Sequence, residues 1–168
     1  MALALSLGST FAGDGKSVKE VKEVVEPTCK FRDFELQIDA YYSGFFGSND
    51  SRFRTGSGGG FGINYFFYRY FGVGYEAQWY SNNGSVENLP LAGNFFLRYP
   101  ICAINLAPYV VVGGGGAWGQ GEGIGYGNVG AGLEYRITDH IGLFADGRYF
   151  YGGTGNVANL RSGLRIAF

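Results

Sequence analysis

Residues 34–43 read FELQIDAYYS, and this stretch decides the fold because apolar and polar side chains alternate along it. Successive side chains of a β-strand point to opposite faces of the sheet, so this period of two predicts a strand with one apolar face. The apolar face would carry Phe34, Leu36, Ile38, Ala40 and Tyr42, and the opposite face Glu35, Gln37, Asp39, Tyr41 and Ser43.

The same alternation returns along the rest of the chain. It is regular in residues 71–80, 128–136, 141–149 and 159–168, and less regular in residues 60–68, 89–99 and 108–118. Glycine- and asparagine-rich connections near residues 49–60, 82–84, 119–125 and 152–155 alternate with tighter joints at 68–70, 100–107 and 138–139. The pattern predicts an all-β fold, a closed eight-stranded antiparallel up-and-down barrel with longer loops at one end and short turns at the other.

The polar face of these strands indicates what surrounds the barrel. It collects five carboxylates and five arginines, and the chain has no lysine after Lys30. Guanidinium groups suit fixed, buried pairing with carboxylates, whereas a solvated sheet face would carry lysine. We therefore predict a lumen filled by a lattice of Glu35, Asp39, Glu76, Arg98, Glu134, Arg136, Asp146, Arg148, Arg161 and Arg165, with the apolar face toward lipid, as in a transmembrane β-barrel. A solvated sheet face and a soluble barrel with an apolar pocket are the alternatives.

Aromatic residues are grouped near the two ends of the predicted strands, as expected for the two interfaces of a bilayer. One band comprises Tyr68, Tyr70, Phe71, Tyr99, Tyr109, Tyr135 and Phe168, and the other Tyr42, Phe45, Phe46, Trp79, Trp118, Tyr149 and Tyr151. The alternating segments have about the 9–11 residues with which a tilted strand spans an outer membrane.

The amino-terminal region differs in composition from the barrel. Residues 1–12 are apolar and end in small residues, which indicates a signal-peptide remnant without its basic segment. Residues 13–32 are rich in Lys and Glu and predict a polar periplasmic tether. The predicted barrel occupies residues 33–168.

Three motifs, Gly132-Leu133-Glu134-Tyr135-Arg136, Asp146-Gly147-Arg148-Tyr149 and the terminal segment 161–168, resemble those of the small outer-membrane β-barrel family. That family includes the OmpA-type transmembrane domain and the opacity-like proteins. The resemblance implies a location in the bacterial outer membrane. It also implies that Phe168, preceded by alternating apolar residues, is the signal read by the barrel-assembly machinery.

Features that could carry chemistry are few. Residues 125–130 match G-x-G-x-x-G, but no strand–turn–helix unit surrounds them, so the match is expected by chance in a chain with 31 glycines. The single histidine, His140, lies in a predicted tight turn, where a catalytic triad is not expected. A net charge of −1 leaves no electrostatic footprint for nucleic acid, so we expect no nucleic-acid partner. We expect no catalytic, cofactor-binding or metal-binding residues, and no enzyme activity.

Cys29 and Cys102 are the only cysteines. Cys29 precedes the first strand and Cys102 lies in the predicted joint between the fourth and fifth strands, so both belong to the periplasmic end of the barrel. In that oxidising compartment they can form a disulfide, with two free thiols as the alternative.

Three functions remain open at this point. The first is a structural or surface-interaction barrel acting through its extracellular loops, with outer-membrane lipid, the assembly machinery and an unknown surface ligand as partners. The second is a narrow channel, which a side-chain-filled lumen disfavours. The third is a soluble lipocalin-like barrel. For the first two, an even strand count places both termini on the periplasmic side.

Overall fold

The computed structural model describes residues 28–47, 55–82, 85–119, 122–153 and 155–168, without the side chains of 82–91 and 117–124. Eight antiparallel strands close into a barrel in chain order, with β8 returning to pair with β1. The strands are β1 Glu35–Gly47, β2 Gly56–Tyr68, β3 Phe71–Asn82, β4 Ser85–Arg98, β5 Leu106–Gly119, β6 Glu122–Arg136, β7 Ile141–Gly152 and β8 Val157–Ala167. The fold-class prediction is confirmed.

The seam between β8 and β1 leaves no open edge. Its register runs from Gln37 opposite Ala167 to Gly47 opposite Val157. Beyond the last strand residue, the Phe168 N–H donates to the Leu36 carbonyl at 2.8 Å and the Leu36 N–H donates back at 3.3 Å. The backbone donors and acceptors of the first and last strands are thereby paired, which a closed barrel requires.

One short 3₁₀ helix, Cys102–Ile104, lies between β4 and β5 and ends at Asn105 with φ of 55°. Among the described residues, no helix is both long and apolar enough to cross a membrane. We call the end of the barrel that holds Glu35 and Phe168 the terminal rim, and the opposite end the distal rim.

Alternation along each strand separates two faces. In β1, Glu35, Gln37 and Ser43 are fully buried in the lumen. Tyr42, on the other face of the same strand, is 65% exposed. The predicted facing of this strand is therefore confirmed: its polar side chains lie on the lumen side and its outer face is apolar, which is the reverse of a soluble ligand-carrying barrel.

Two predicted connections were partly wrong, because residues 56–60 belong to β2 and residues 122–125 belong to β6. Residues 56–60 were expected in a loop, but β2 begins at Gly56 and pairs with β1 from there. Four of these five residues are glycine, so the segment shows no alternation and the sequence could not reveal a strand. At Gly60 a Cβ atom would lie 2.5 Å from the Tyr41 hydroxyl, so this glycine makes room for a lumen aromatic.

The predicted division of loop lengths between the two ends was also wrong. At the distal rim, two residues join β3 to β4 (83–84) and two join β5 to β6 (120–121), whereas residues 99–105 separate β4 from β5 at the terminal rim. The strands are 11–15 residues long rather than about 9–11, because hairpin pairing continues nearly to the distal connections.

Two members of the predicted aromatic bands face the lumen instead. Phe45 and Tyr109 are 1% and 4% exposed. Both lie in register with inward-facing neighbours, so strand alternation overrides their position near the strand ends. The outward orientation holds for Tyr42, Phe46, Tyr68, Tyr70, Phe71, Trp79, Tyr99, Tyr135, Tyr149, Tyr151 and Phe168. The side chain of Trp118 lies outside the described residues.

Residues 1–12 and most of the predicted tether also lie outside the described residues. The described part of the tether, residues 28–32, does not hang free below the barrel. Phe31 is 1% exposed and lies against lumen arginines.

Candidate functional site

The lumen brings together all ten charged residues that the sequence predicted there. Strand register places two pairs of opposite charges on directly opposed residues, Asp39 with Arg165 and Asp146 with Arg161. Period-two spacing puts Glu134 and Arg136 on the same inward face of β6. Other pairs form across the barrel, where long arginine side chains reach carboxylates of distant strands.

The first group, which we call the terminal cluster, lies nearest the terminal rim. Glu134 is its centre, with Arg136 at 2.6 Å, Arg165 at 2.6 Å and Arg98 at 3.2 Å. Glu35 accepts from Arg136 at 2.6 Å and from Arg98 at 3.2 Å. Arg165 also pairs with Asp39, the sixth member, through Nε at 2.7 Å and Nη2 at 2.6 Å. Three arginines therefore balance three carboxylates.

The second group, which we call the central cluster, lies farther toward the distal rim. Arg161 holds Asp146 through Nε at 2.7 Å and Nη2 at 2.6 Å, the two-pronged geometry that suits a guanidinium. Glu76 accepts from Arg161 at 2.8 Å and from Arg148 at 2.9 Å. Two arginines balance two carboxylates, so each cluster is electrically neutral by itself.

Neutral side chains add to the contacts of these ions. The Asn64 amide donates to Asp39 at 2.8 Å, and the Tyr109 hydroxyl donates to Asp146 at 2.8 Å. Aromatic faces cover the guanidinium groups, with Phe66 3.8 Å from Arg98 and Tyr41 4.4 Å from Arg161. Buried ions are tolerated when they are paired and hydrogen-bonded in this way.

The lumen becomes apolar near the distal rim. Here a buried group that we call the distal layer consists of Phe45, Tyr80, Ala92, Tyr126, Phe150 and Val157. Phe45 meets Tyr80 edge to face at 5.0 Å between ring centroids, and Tyr126 lies 5.6 Å from Phe150. An asparagine pair, Asn128 donating to Asn94 at 3.1 Å, lies on the inner face of the neighbouring strands. Paired ions and packed rings thus fill the lumen over much of its length.

At the terminal rim, Cys29 and Cys102 are joined in a disulfide with a Cα–Cα distance of 4.7 Å. The bond brings Phe31 beneath the terminal cluster, with its ring 4.9 Å from the Arg98 guanidinium and 5.3 Å from that of Arg136. Sequence reasoning missed Phe31. Its only signal was an aromatic residue two positions after a cysteine within an otherwise polar segment.

The remaining sequence motifs do not assemble a reactive site. Residues 125–130 lie within β6 and pair with both β5 and β7, so their backbone is committed to the sheet rather than free to cradle a phosphate. His140 is exposed in the β6–β7 turn. Within the described ranges, no group of three or more His, Cys, Asp or Glu residues could hold a metal ion. The ion pairs and packed rings of the lumen can hold the strands together and fill the inside of the barrel.

Comparison with known proteins finds similarity at the level of structure. No family model and no curated protein matches the sequence. The amino-terminal β-barrel domain of Pseudomonas aeruginosa OprF superposes with a TM-score of 0.66 at 19% identity, covering 82% of this chain and 99% of that one. Neisserial surface protein A gives 0.63 at 17% identity, covering 80% and 96%.

The Yersinia pestis attachment invasion locus protein, Ail, gives a TM-score of 0.50 at 16% identity, covering 81% of this chain and 99% of that one. Identities this low establish the architecture alone. The chain therefore has the fold of the small eight-stranded outer-membrane β-barrels.

Proposed function

We propose that this chain is a non-enzymatic integral protein of the bacterial outer membrane that presents its distal hairpins at the cell surface. One observation carries the proposal: the same strands bury ten paired charges inside while the described strand side chains that face outward carry none. Such an exterior is stable against hydrocarbon and unfavourable in water.

Orientation follows from the strand count. Residues 28–34 and Phe168 share the terminal rim, so a chain that enters from the periplasm leaves all four distal hairpins on the outside. Its partners are then outer-membrane lipid along the exterior, the barrel-assembly machinery during insertion, and a surface ligand at the distal rim. A surface role is in keeping with two structural neighbours that are described as a surface protein and an attachment protein.

Membrane insertion is tested on outer-membrane fractions. Closed membrane barrels stay folded in cold detergent, so we expect unboiled and boiled samples to migrate differently on a gel.

Orientation is tested by placing single cysteines in a background in which Cys29 and Cys102 are serine. A cysteine at Asn83 should react with an impermeant maleimide in intact cells, and its matched control at Thr138 should react only after lysis. The reverse pattern would overturn the orientation.

The filled lumen gives the barrel a structural rather than a conducting role. Eight strands enclose a space just wide enough for side chains, and here the two neutral clusters and the distal layer occupy it. Purified protein in planar bilayers should show no steady ion current. A steady current in the wild-type protein, or one produced by Arg148→Ala without loss of stability, would instead establish the narrow-channel alternative.

A further inference from the structure

The segment immediately before β1 crosses the terminal mouth of the barrel. Residues 29–33, which we call the strap, start at the disulfide with Cys102 in the β4–β5 connection. They end at Asp33, two residues before β1 begins at Glu35. The β4–β5 connection lies on the far side of the barrel from β1, so the strap spans the opening.

Polar contacts tie the strap to the other two connections at this rim. The Lys30 ammonium donates to the Ile137 carbonyl of the β6–β7 turn at 2.9 Å. The Arg69 backbone N–H of the β2–β3 turn donates to the Asp33 carboxylate at 2.7 Å. Together with the disulfide, these contacts attach five consecutive residues to all three turns of the terminal rim.

The middle of the strap closes the lumen. Phe31 is 1% exposed, and its ring lies within 5.3 Å of two guanidinium groups of the terminal cluster, those of Arg98 and Arg136. Without this ring, those two arginines and Glu35 would face the aqueous space below the barrel. The strap is therefore the seal between solvent and the terminal cluster.

The backbone is bent to allow this placement. Phe34 adopts φ of 56°, a left-handed conformation that side-chain-bearing residues rarely take. The bend directs the strap under the mouth while the Phe34 ring remains outside, 6.3 Å from that of Tyr68. A conformational cost at the hinge must be offset by contacts elsewhere in the strap.

The disulfide is the covalent contact among those that offset this cost, beside the buried Phe31 ring and the Arg32 N–H that donates to Glu35 at 3.4 Å. The Lys30 and Asp33 hydrogen bonds are exposed to solvent, and exposed polar contacts contribute little to stability. Both cysteines are only half-buried, so a small thiol can reach the bond. We propose that the strap is a redox-sensitive seal, closed while Cys29 and Cys102 are bonded and released from the terminal mouth when a dithiol reduces them.

Release is a thiol–disulfide exchange. A thiolate of the dithiol attacks one sulfur of the bond, the sulfur–sulfur bond breaks, and a mixed disulfide forms with that cysteine while the other leaves as a thiolate. The second thiol of the reductant then displaces the first cysteine. The chain gains two electrons and two protons as two thiols, and the reductant becomes an intramolecular disulfide.

The released state remains a closed barrel. The terminal cluster would become hydrated from below, whereas the central cluster and the distal layer involve no strap residue and would stay in place. Reduction therefore unseals one mouth without making a pore, which separates this proposal from the filled-lumen proposal above.

The solvent accessibility of residue 31 shows directly whether the strap covers the terminal mouth. In detergent-folded Phe31→Trp protein, acrylamide quenching is measured with and without dithiothreitol, after subtracting the parent protein with its two native tryptophans. We expect the quenching constant of the new tryptophan to rise severalfold on reduction, while the unboiled gel mobility stays that of a folded barrel. The matched control, Phe31→Trp with Cys29→Ser and Cys102→Ser, should be strongly quenched with or without dithiol.

Two results would overturn the proposal. One is unchanged quenching although alkylation shows that both thiols have been freed. The other is a bond that dithiothreitol cannot reduce in the folded barrel. If Phe31→Trp does not fold, hydrogen exchange of the peptide covering residues 28–34 in the unsubstituted protein tests the same proposal. We expect this peptide to exchange faster after reduction. Equal exchange before and after reduction would contradict the proposal. A steady ion current that appears on reduction would refute the filled-lumen proposal, but it would not contradict the proposal that the strap is a redox-sensitive seal.

Discussion

The inner and outer faces of the same eight strands follow opposite rules. In β6, Glu134 points into the lumen with no exposed surface, while Leu133 beside it points outward and is 50% exposed. The inner face is stable because each charge has a partner of opposite sign, so its stability depends on particular pairs of residues. The outer face is stable because its surroundings are apolar, so any apolar residue of similar size suffices there. Adjacent residues should therefore respond very differently to the same substitution.

The largest difference in stability between an inward and an outward substitution is expected at Glu134. Glu134→Ala removes the carboxylate shared by Arg98, Arg136 and Arg165 and leaves the terminal cluster with uncompensated positive charge. Breaking a buried pair in this way typically costs about 3–5 kcal/mol. Urea unfolding of the barrel in detergent or lipid vesicles measures the loss. Leu133→Ala is the matched outward control and should cost clearly less, so equal losses would contradict the distinction between the two faces.

The central cluster extends the same test to a smaller group of ions. Glu76→Ala leaves Arg148 and Arg161, and Arg161 keeps its two-pronged contact with Asp146. We therefore expect a loss of stability toward the lower end of about 3–5 kcal/mol, smaller than that of Glu134→Ala. Thermal melting monitored by gel mobility compares the two variants. A larger loss for Glu76→Ala would show that the number of partners does not set the cost.

The distal layer gives a test without charge. Phe45→Ala removes a buried ring that meets Tyr80 edge to face, and a cavity of this size typically costs about 3 kcal/mol. The next residue, Phe46, is 52% exposed on the outer face, so Phe46→Ala should cost less. Unfolding both variants side by side checks this. If Phe46→Ala were the more damaging, the inward facing of Phe45 would be in error.

Much of this arrangement could be predicted from the sequence because strand alternation is local. Period two separated Glu35 and Asp39 from Leu36 and Ile38, and the arginine-only basic set indicated a paired interior. Which arginine meets which carboxylate could not be predicted. Arg98 reaches Glu35 across 63 residues of chain, and that contact depends on the register and curvature of the closed barrel.

The glycine runs and the strap were missed for different physical reasons. Residues 56–60 are glycine except for Ser57 and show no alternation of side chains, so only their partners on β1 and β3 show that they belong to a strand. Phe31 lies in no regular element, and its burial depends on a disulfide and a left-handed residue at position 34. Neither feature leaves a periodic trace in the sequence.

Replacing glycine by alanine should also change stability differently on the two faces, although by a smaller amount. Gly60→Ala tests the inner face and Gly93→Ala the outer face. At Gly60 an added Cβ would lie 2.5 Å from both the Ala77 carbonyl and the Tyr41 hydroxyl, and overpacking of this kind typically costs about 1–3 kcal/mol. At Gly93 the nearest atom is 3.8 Å away, on the Tyr75 ring, which is ordinary contact. Gly93→Ala should therefore leave stability nearly unchanged. Equal effects at both positions, measured by urea unfolding, would argue against a crowded lumen at β2.

The smallest effect on stability is expected at the terminal rim, which belongs to neither face of the strands. The Arg69 backbone N–H donates to Asp33 and lowers the pKa of that carboxyl below its ordinary value of 3.8. A lowered folded-state pKa means that the contact stabilises the folded protein above pH 3.8, and that this stabilisation is lost as pH falls through the folded pKa. Asp33→Asn should thus be slightly less stable than the parent at neutral pH, and the two should converge in acid. Because the two proteins differ only at residue 33, the difference between their unfolding curves across the acidic range isolates Asp33. Asp139→Asn, in the exposed β6–β7 turn, controls for the change in net charge. A difference that stayed constant down to the lowest pH would show that the Asp33 charge does not hold this end of the strap.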